Sequence, residues 1–277
     1  MCIRDSKHVS MMERDVVSAL NANVLGSVYV ARACRAAGSR LVLISSDKAA
    51  NAKSVMGASK RMAELAVLAE SRPADRVAIV RFGNILGSSG SVLELMVDRI
   101  RRGLPLQVTD PEASRYFMSS AEAIGLVLKA DRLAQTGQIL WLEMGEPVLI
   151  LDLARRLLQI ASAAGMNEVP IEFIGLRPGE KLREELTVQG LEMVATTQKA
   201  VWIAQQRAID AVRVARAIRS AEAAVSRQDA ARALQVLCET VPEYEASPQA
   251  MASASGRPSA SRSHVGGPTA ASVRASA

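Results

Sequence analysis

Apolar runs of strand length alternate with segments of helical period from residue 13 to residue 174, and few architectures satisfy that alternation. Residues 40–44, 76–82 and 138–144 read as buried strands, the first built on Leu41-Val42-Leu43-Ile44 and the second on Val77, Ile79 and Val80. Shorter strands fit 106–109 and 171–174. A helical rhythm (Val16, Val17, Leu20, Val24, Val28, Val30) fills 13–37 and stops at Gly38, a favourable C-terminal cap. Further helices fit residues 59–70, 92–102 and 150–164. Ser119 with Glu122 forms a capping-box pattern ahead of Ile124, Leu126, Val127 and Leu128. Strands separated by helices build a parallel, doubly wound α/β sheet. No Gly-x-Gly-x-x-Gly occurs, and the first recognisable element is already a long helix, so the pattern predicts a fold that begins in mid-sheet.

Composition narrows the function classes. A hydrophobic content of 49% with 3% aromatics suits an Ala/Leu/Val-rich α/β enzyme. The net charge of +6 does not point to nucleic acid: Arg257, Arg262 and Arg274 lie beyond Glu245, leaving 31 basic against 28 acidic residues. No basic block interleaves with aromatics as a stacking platform requires. Cys2, Cys34 and Cys238 are too few and too far apart for a disulfide framework or a zinc site, and a reducing cytoplasm is the default compartment. His8 and His264 are the only histidines, which leaves little for a metal centre or a Ser-His-Asp triad. No apolar run reaches the roughly 20 residues of a membrane span. Residues 205–241 read as helical and surface-lying. The Ala/Ser/Gly/Pro-rich stretch 247–277 reads as a disordered tail.

The chemistry-bearing residues gather after the first strand. Ser45-Ser46-Asp47-Lys48 lies where a parallel strand delivers side chains to a ligand cleft, with Met56-x-x-x-Lys60 shortly beyond. Asp47 and Lys48 read either as an acid and a base or as a solvent-facing loop pair. Lys60 reads as a holder of ribose hydroxyls or as a surface lysine. Asn23 and Gly26 both weaken the helix that contains them, which fits a water-bridged kink or a close backbone approach. In Arg81-Phe82-Gly83-Asn84-Ile85-Leu86-Gly87-Ser88-Ser89-Gly90-Ser91, the glycines after a strand let amides approach a phosphate, or simply make a flexible connection. Arg115-Tyr116-Phe117-Met118 offers a guanidinium for a diphosphate, or plain packing. In Leu176-Arg177-Pro178-Gly179-Glu180-Lys181, Pro-Gly forces a turn that lets both cations face one anion.

Taken in order, these residues resemble the capsular-polysaccharide nucleotide-sugar dehydratases, the UDP-N-acetylglucosamine 4,6-dehydratases of the extended short-chain dehydrogenase/reductase superfamily. The resemblance runs from Lys7-His8-Val9 to Val241-Pro242-Glu243-Tyr244 and rests on the motifs at 23–26, 45–60, 81–91, 115–118 and 176–181. It implies a Rossmann-type NAD-binding fold (NADP being the alternative cofactor) that lacks its first βαβ unit. Residues 7–145 would be the remainder of that domain, with substrate-lobe segments at 85–118. Residues 146–204 would form the nucleotide-sugar lobe and 205–246 a helical segment. It further implies a cycle in which C4 of the hexose is oxidised, a C5 proton leaves, water is lost from C6, and hydride returns to C6. Lys48 would be the C5 base, Asp47 the acid at the C6 hydroxyl, and Ser46 the residue that orients the C4 hydroxyl. Asn23, Lys60 and Arg81 would meet the cofactor, and Asn84, Ser91, Arg115, Arg177 and Glu180 the UDP moiety.

Two departures accompany the resemblance. Met56 occupies the place usually held by a catalytic tyrosine and has no proton to exchange, as in the branch that retains configuration at C5. The strand and glycine-rich loop that cradle the pyrophosphate would precede Lys7, and residues 1–6 match neither, so the chain reads as truncated and inactive by itself. The resemblance implies a homo-oligomer in the cytoplasm, with inner-membrane association in longer relatives. A UDP-hexose 4-epimerase or reductase of the same superfamily is the rival enzyme reading, and a non-catalytic UDP-sugar-binding fragment is the reading from a different class.

Overall fold

The structure, a computed structural model, describes residues 6–185, 192–206 and 208–256. The chain opens with α1 (Val9–Met12), α2 (Val16–Ala19), a π-helical stretch Leu20–Leu25 and α3 (Gly26–Ala36). Then come β1 (Leu41–Ile44), a 3-10 turn Asp47–Ala49, α4 (Val55–Glu70), β2 (Val77–Arg81) and β3 (Asn84–Ile85). The middle holds α5 (Val92–Arg101), β4 (Leu106–Val108), β5 (Ser114–Arg115), β6 (Phe117–Met118), α6 (Ser120–Leu133) and β7 (Ile139–Leu142). Next are β8 (Val148–Leu149), α7 (Ile150–Ala163), β9 (Ile171–Phe173), β10 (Met193–Ala195) and β11 (Val201–Ala204). The remaining helices are α8 (Ala211–Ser226), α9 (Ala230–Thr240) and α10 (Pro248–Ala254).

The main sheet has the order β1-β2-β7-β11-β10. Its β1-β2-β7 core is parallel, in the register Leu43↔Ile79 and Ile79↔Ile139. Side chains alternate across it as period two requires. Leu41, Val77, Ile79 and Ile139 face the side covered by α3 and α4, while Val80, Leu140 and Leu142 face α6. A larger cluster joins the π-helical stretch and α4 to α8 and α9 through Leu20, Val24, Met62, Ile218 and Leu237. A separate cluster, built on Met96, Ile100, Leu106, Val108, Ile150 and Ala154, unites α5 with α7 over the parallel pair β4–β9. Residues 92–113 and 148–173 thus share a small lobe beside the sheet.

Four expectations are corrected. Residues 193–204 belong to the main sheet, because β11 pairs antiparallel with β7 and carries β10 beyond it, so the sheet is mixed and the lobe does not extend to 204. The helices α8 and α9 do not lie on the surface; Val214, Ile218, Ala221, Leu234 and Leu237 are core. Disorder does not begin at residue 247, since Ser247 caps α10 by accepting from Ala250 N, with proline in the first turn. Residues 257–277 lie outside the described residues. Finally, the helix expected at 59 starts at Val55, where Ser54 accepts from Gly57 N at 3.1 Å.

The helix expected over 13–37 is interrupted by the π-helical stretch that contains Asn23, as its weak helix formers foreshadow. Among the described residues no helix is long and apolar enough to cross a membrane.

Candidate active site

After Ile44 the chain leaves β1 through Ser45 and Ser46 and closes a 3-10 turn at Asp47. The extended backbone of Ser46 lets its Oγ accept from Lys48 N at 3.2 Å, and Asp47 N donates to Phe82 O at 3.1 Å. The turn is therefore tied to the end of β2. Asp47 is fully buried. Its Oδ1 accepts from Ser46 Oγ at 2.7 Å, from Lys48 N at 2.9 Å and from Lys48 Nζ at 3.0 Å. The Lys48 ammonium also donates to Asn84 Oδ1 at 3.3 Å and lies 3.5 Å from Glu184 Oε1.

Two glycines let the surroundings close on this pair. A Cβ on Gly57, in the first turn of α4, would lie 2.2 Å from the Lys48 carbonyl oxygen. One on Gly83 would lie 3.2 Å from Asp47 Oδ2 and 3.2 Å from Tyr116 O. The helix thus approaches the pair more closely than a side chain permits, and the chain after β2 leaves little room for one.

A second layer comes from the turn at 175–181. Gly179 takes φ +77°, and a Cβ there would meet Glu13 Oε1 and Ser54 Cβ, each at 2.9 Å. The turn is seated on the N-terminus of α4, where Glu13 Oε1 accepts from Val55 N at 2.7 Å. Lys181 Nζ donates to Ala50 O at 3.4 Å. Arg115 Nη1 donates to Ser114 O at 2.8 Å and to Leu182 O at 3.1 Å, and its Nε lies 3.5 Å from Glu184 Oε1. These groups enclose a cavity of about 80 Å³ lined by Lys48, Lys53, Arg115, Glu180, Lys181 and Glu184. Four cations facing two carboxylates make a recess suited to an anion.

Burial works against the Lys48 ammonium, but Asp47 and Glu184 outweigh it and the pKa is raised. Lys60 shifts the other way: burial lowers its pKa and Glu64 offsets this only in part. Its Nζ donates to Ile44 O at 3.4 Å, at the C-terminal end of β1.

Behind the site, Glu64 on α4 ties the ends of two strands together. Its Oε1 accepts from Ser45 Oγ at 2.5 Å and from Arg81 Nε at 2.7 Å, and its Oε2 from Arg81 Nη2 at 2.5 Å and Arg61 Nη1 at 2.9 Å. Burial opposes the Glu64 carboxylate, yet Arg81 and the other donors prevail and hold its pKa below the usual value.

Ser46, Asp47, Lys48, Asn84, Arg115 and Glu180 therefore lie close together, and Arg177 is exposed on the neighbouring turn with its backbone N donating to Glu180 Oε2 at 3.3 Å. Asn23 sits in the π-helical stretch, and its Nδ2 donates to Ser59 Oγ at 2.9 Å. Ser91 caps α5 by accepting from Glu94 N. Two expectations are corrected. Arg81 is not open to a ligand: it shares the sheet face of Val77 and Ile79, which α4 covers, and its side chain, 1% exposed, is spent on Glu64. Met56 takes no part in the site, since its side chain, 3% exposed, packs in the core of α4 and α8. Sequence reasoning missed Glu184, hidden in the charged run Lys181–Glu185, and Glu64, whose one signal is an acid within the apolar segment Met62-Ala63-Glu64-Leu65-Ala66.

A family described as "Polysaccharide biosynthesis protein" matches residues 4–206. The chain belongs to that family. Within it, the chain is similar to the capsular polysaccharide biosynthesis protein CapD of Staphylococcus aureus, with 47% identity over 183 residues that cover 65% of this chain and 30% of CapD. It therefore spans about a third of that relative's length. It is also 33% identical over 185 residues to the UDP-glucose 4-epimerase of Rickettsia canadensis, covering 65% of this chain and 53% of the epimerase. Among solved structures it is similar to Pen from Bacillus thuringiensis, with 32% identity and a TM-score of 0.59 over 65% of this chain and 57% of that one. The dTDP-glucose 4,6-dehydratase DesIV of Streptomyces venezuelae, solved with NAD bound, is 20% identical with a TM-score of 0.56, covering 80% of this chain and 70% of that one. The sheet and its helices share the Rossmann-type α/β fold of these structures.

Proposed function

We propose that this chain carries the substrate side of a nucleotide-sugar 4,6-dehydratase that converts UDP-N-acetylglucosamine to a 4-keto-6-deoxy sugar for surface-polysaccharide synthesis. The observation that carries the reading is the buried Asp47–Lys48 pair, 3.0 Å apart, at the edge of a cationic cavity. Loss of water next to a ketone needs one group to take the C5 proton and another to protonate the departing C6 hydroxyl. Ammonium and carboxylate at 3.0 Å share one proton, and its shift along that hydrogen bond yields amine and acid together. The amine then takes the C5 proton, the acid gives its own to the C6 oxygen, and the C5–C6 double bond forms as water leaves. The pair ends with the proton count it began with. In this reading Ser46, bonded to Asp47 Oδ1, orients the C4 hydroxyl, and Arg115, Arg177 and Glu180 hold the UDP.

The residues fit one end of a nicotinamide cofactor. Lys60, at the C-terminal end of β1, and Asn23 would hold its ribose, while Arg81 is committed to Glu64. When bound, NAD (or NADP) would supply the hydride acceptor and donor at C4 and C6.

The 33% identity to a UDP-glucose 4-epimerase favours a second reading. Epimerisation needs only hydride transfer, so it leaves the Asp47–Lys48 pair without a task. Incubation with UDP-N-acetylglucosamine and NAD in deuterated water separates the two. Whatever turnover occurs is expected to give a 4-keto-6-deoxy product carrying solvent deuterium at C5. UDP-N-acetylgalactosamine without deuterium would establish the epimerase, and tight binding of the UDP-sugar without turnover would establish a binding fragment.

A further inference from the structure

We propose that Glu184 is a sugar-recognition residue whose buried carboxylate accepts a hydrogen bond from a hydroxyl of the hexose beside Lys48. The inference rests on the nucleotide-sugar reading and deepens it. The Glu184 side chain is 3% exposed and lines the cavity. Its Oε1 lies 3.5 Å from both Lys48 Nζ and Arg115 Nε, beyond the 2.7–2.9 Å of a good charge-assisted hydrogen bond. Its Oε2 is buried and has no hydrogen-bond partner among the described residues. The cations around it have better partners: Lys48 has Asp47 and Asn84, and Arg115 has the carbonyls of Ser114 and Leu182. A carboxylate buried this deeply and satisfied this poorly by the described residues is costly without a ligand, and a donor from a ligand removes the cost.

Charge identifies the donor. The phosphates of a nucleotide sugar are drawn to Arg115, Lys53 and Lys181 but repelled by Glu184. The part of the ligand that meets Glu184 is therefore a neutral donor, and Lys48, 3.5 Å away, makes it the reacting end of the sugar. Glu184 then distinguishes a nucleotide that carries a hexose from one that does not.

Calorimetric titration of UDP and of UDP-N-acetylglucosamine into the full chain and its Glu184→Leu and Glu184→Gln variants tests this. In Glu184→Leu, UDP is expected to bind at least as tightly as in the wild type, because a negative charge leaves the cavity. The ratio of UDP-N-acetylglucosamine affinity to UDP affinity is expected to fall roughly tenfold, as for a lost hydrogen bond to a charged group. A purely structural role would weaken both ligands together. Glu184→Gln keeps the shape and polarity of the side chain and is expected to show a smaller fall in the same ratio. An unchanged ratio in both variants overturns the assignment while leaving the functional reading intact. A wild-type chain that binds neither ligand overturns the reading and this inference with it.

Discussion

The first turn of α4 rests directly on Lys48, because Gly57 stands where a Cβ would lie 2.2 Å from the carbonyl oxygen of that lysine. Any side chain at this position pushes either the helix or the Asp47–Ala49 turn out of place. Gly57→Ala is expected to cost about 1–3 kcal/mol, the usual range for overpacking, despite alanine's better helix propensity. Urea unfolding of the two proteins measures it. An alanine variant as stable as the parent would show that α4 does not buttress the turn.

Glu64 and Arg81 make an acid-sensitive clasp. Glu64→Gln leaves the Arg81 guanidinium buried without its charge partner, and about 3–5 kcal/mol of stability should be lost at neutral pH. The pH dependence has a definite sign. The Glu64 carboxyl is held below its ordinary value of 4.5, so its contribution is full above that pH and disappears as the pH falls through the lower, folded value. Melting temperatures followed from neutral pH downward should decline more steeply below pH 4.5 in the parent than in Glu64→Gln.

Lys48 and Lys60 are displaced in opposite directions. Lys48 is raised above 10.5 because Asp47 and Glu184 outweigh its burial. Lys60 falls below 10.5 because burial outweighs Glu64. After reductive ¹³C-methylation, NMR titration should find the Lys60 resonance shifting at lower pH than that of Lys48. Asp47→Asn should bring the Lys48 titration down and leave that of Lys60 in place.

Met56 serves packing. With its side chain 3% exposed among apolar neighbours, Met56→Leu is a near volume-conserving exchange. It should cost less than about 1.5 kcal/mol and leave affinity for UDP-N-acetylglucosamine unaltered. Thermal melts and calorimetry report both, and a selective loss of binding would return Met56 to the site.

Much of this was legible in the sequence because it depends on local pattern. Apolar strand runs locate β1, β2 and β7, Ser119 with Glu122 does make a capping box at α6, and Asn23 with Gly26 flags the interrupted helix. The place of Asp47 and Lys48 was legible because a parallel strand, β1, delivers them past its C-terminal end. What escaped depends on distant partners. Period two gives the face of Arg81, but not that α4 covers that face and presents Glu64 to it. The hairpin of β10 and β11 adds to the sheet through backbone pairing with β7, which leaves no mark in a short apolar run. Glu184 reads as one acid in a charged run until the turn at Gly179 is seated against Ser54.

The central claim, that Lys48 exchanges the C5 proton, is tested most directly without any hydride transfer. A UDP-4-keto-6-deoxy-N-acetylhexosamine already has an acidic C5–H, so the pair should exchange it with solvent when the compound is mixed with the chain in deuterated water. Proton NMR should show loss of the C5 signal far faster than in buffer. Lys48→Ala should slow that loss by about 10²–10⁴-fold, the usual worth of a positioned base. Exchange no faster than in buffer, or equally fast in Lys48→Ala, would contradict the account.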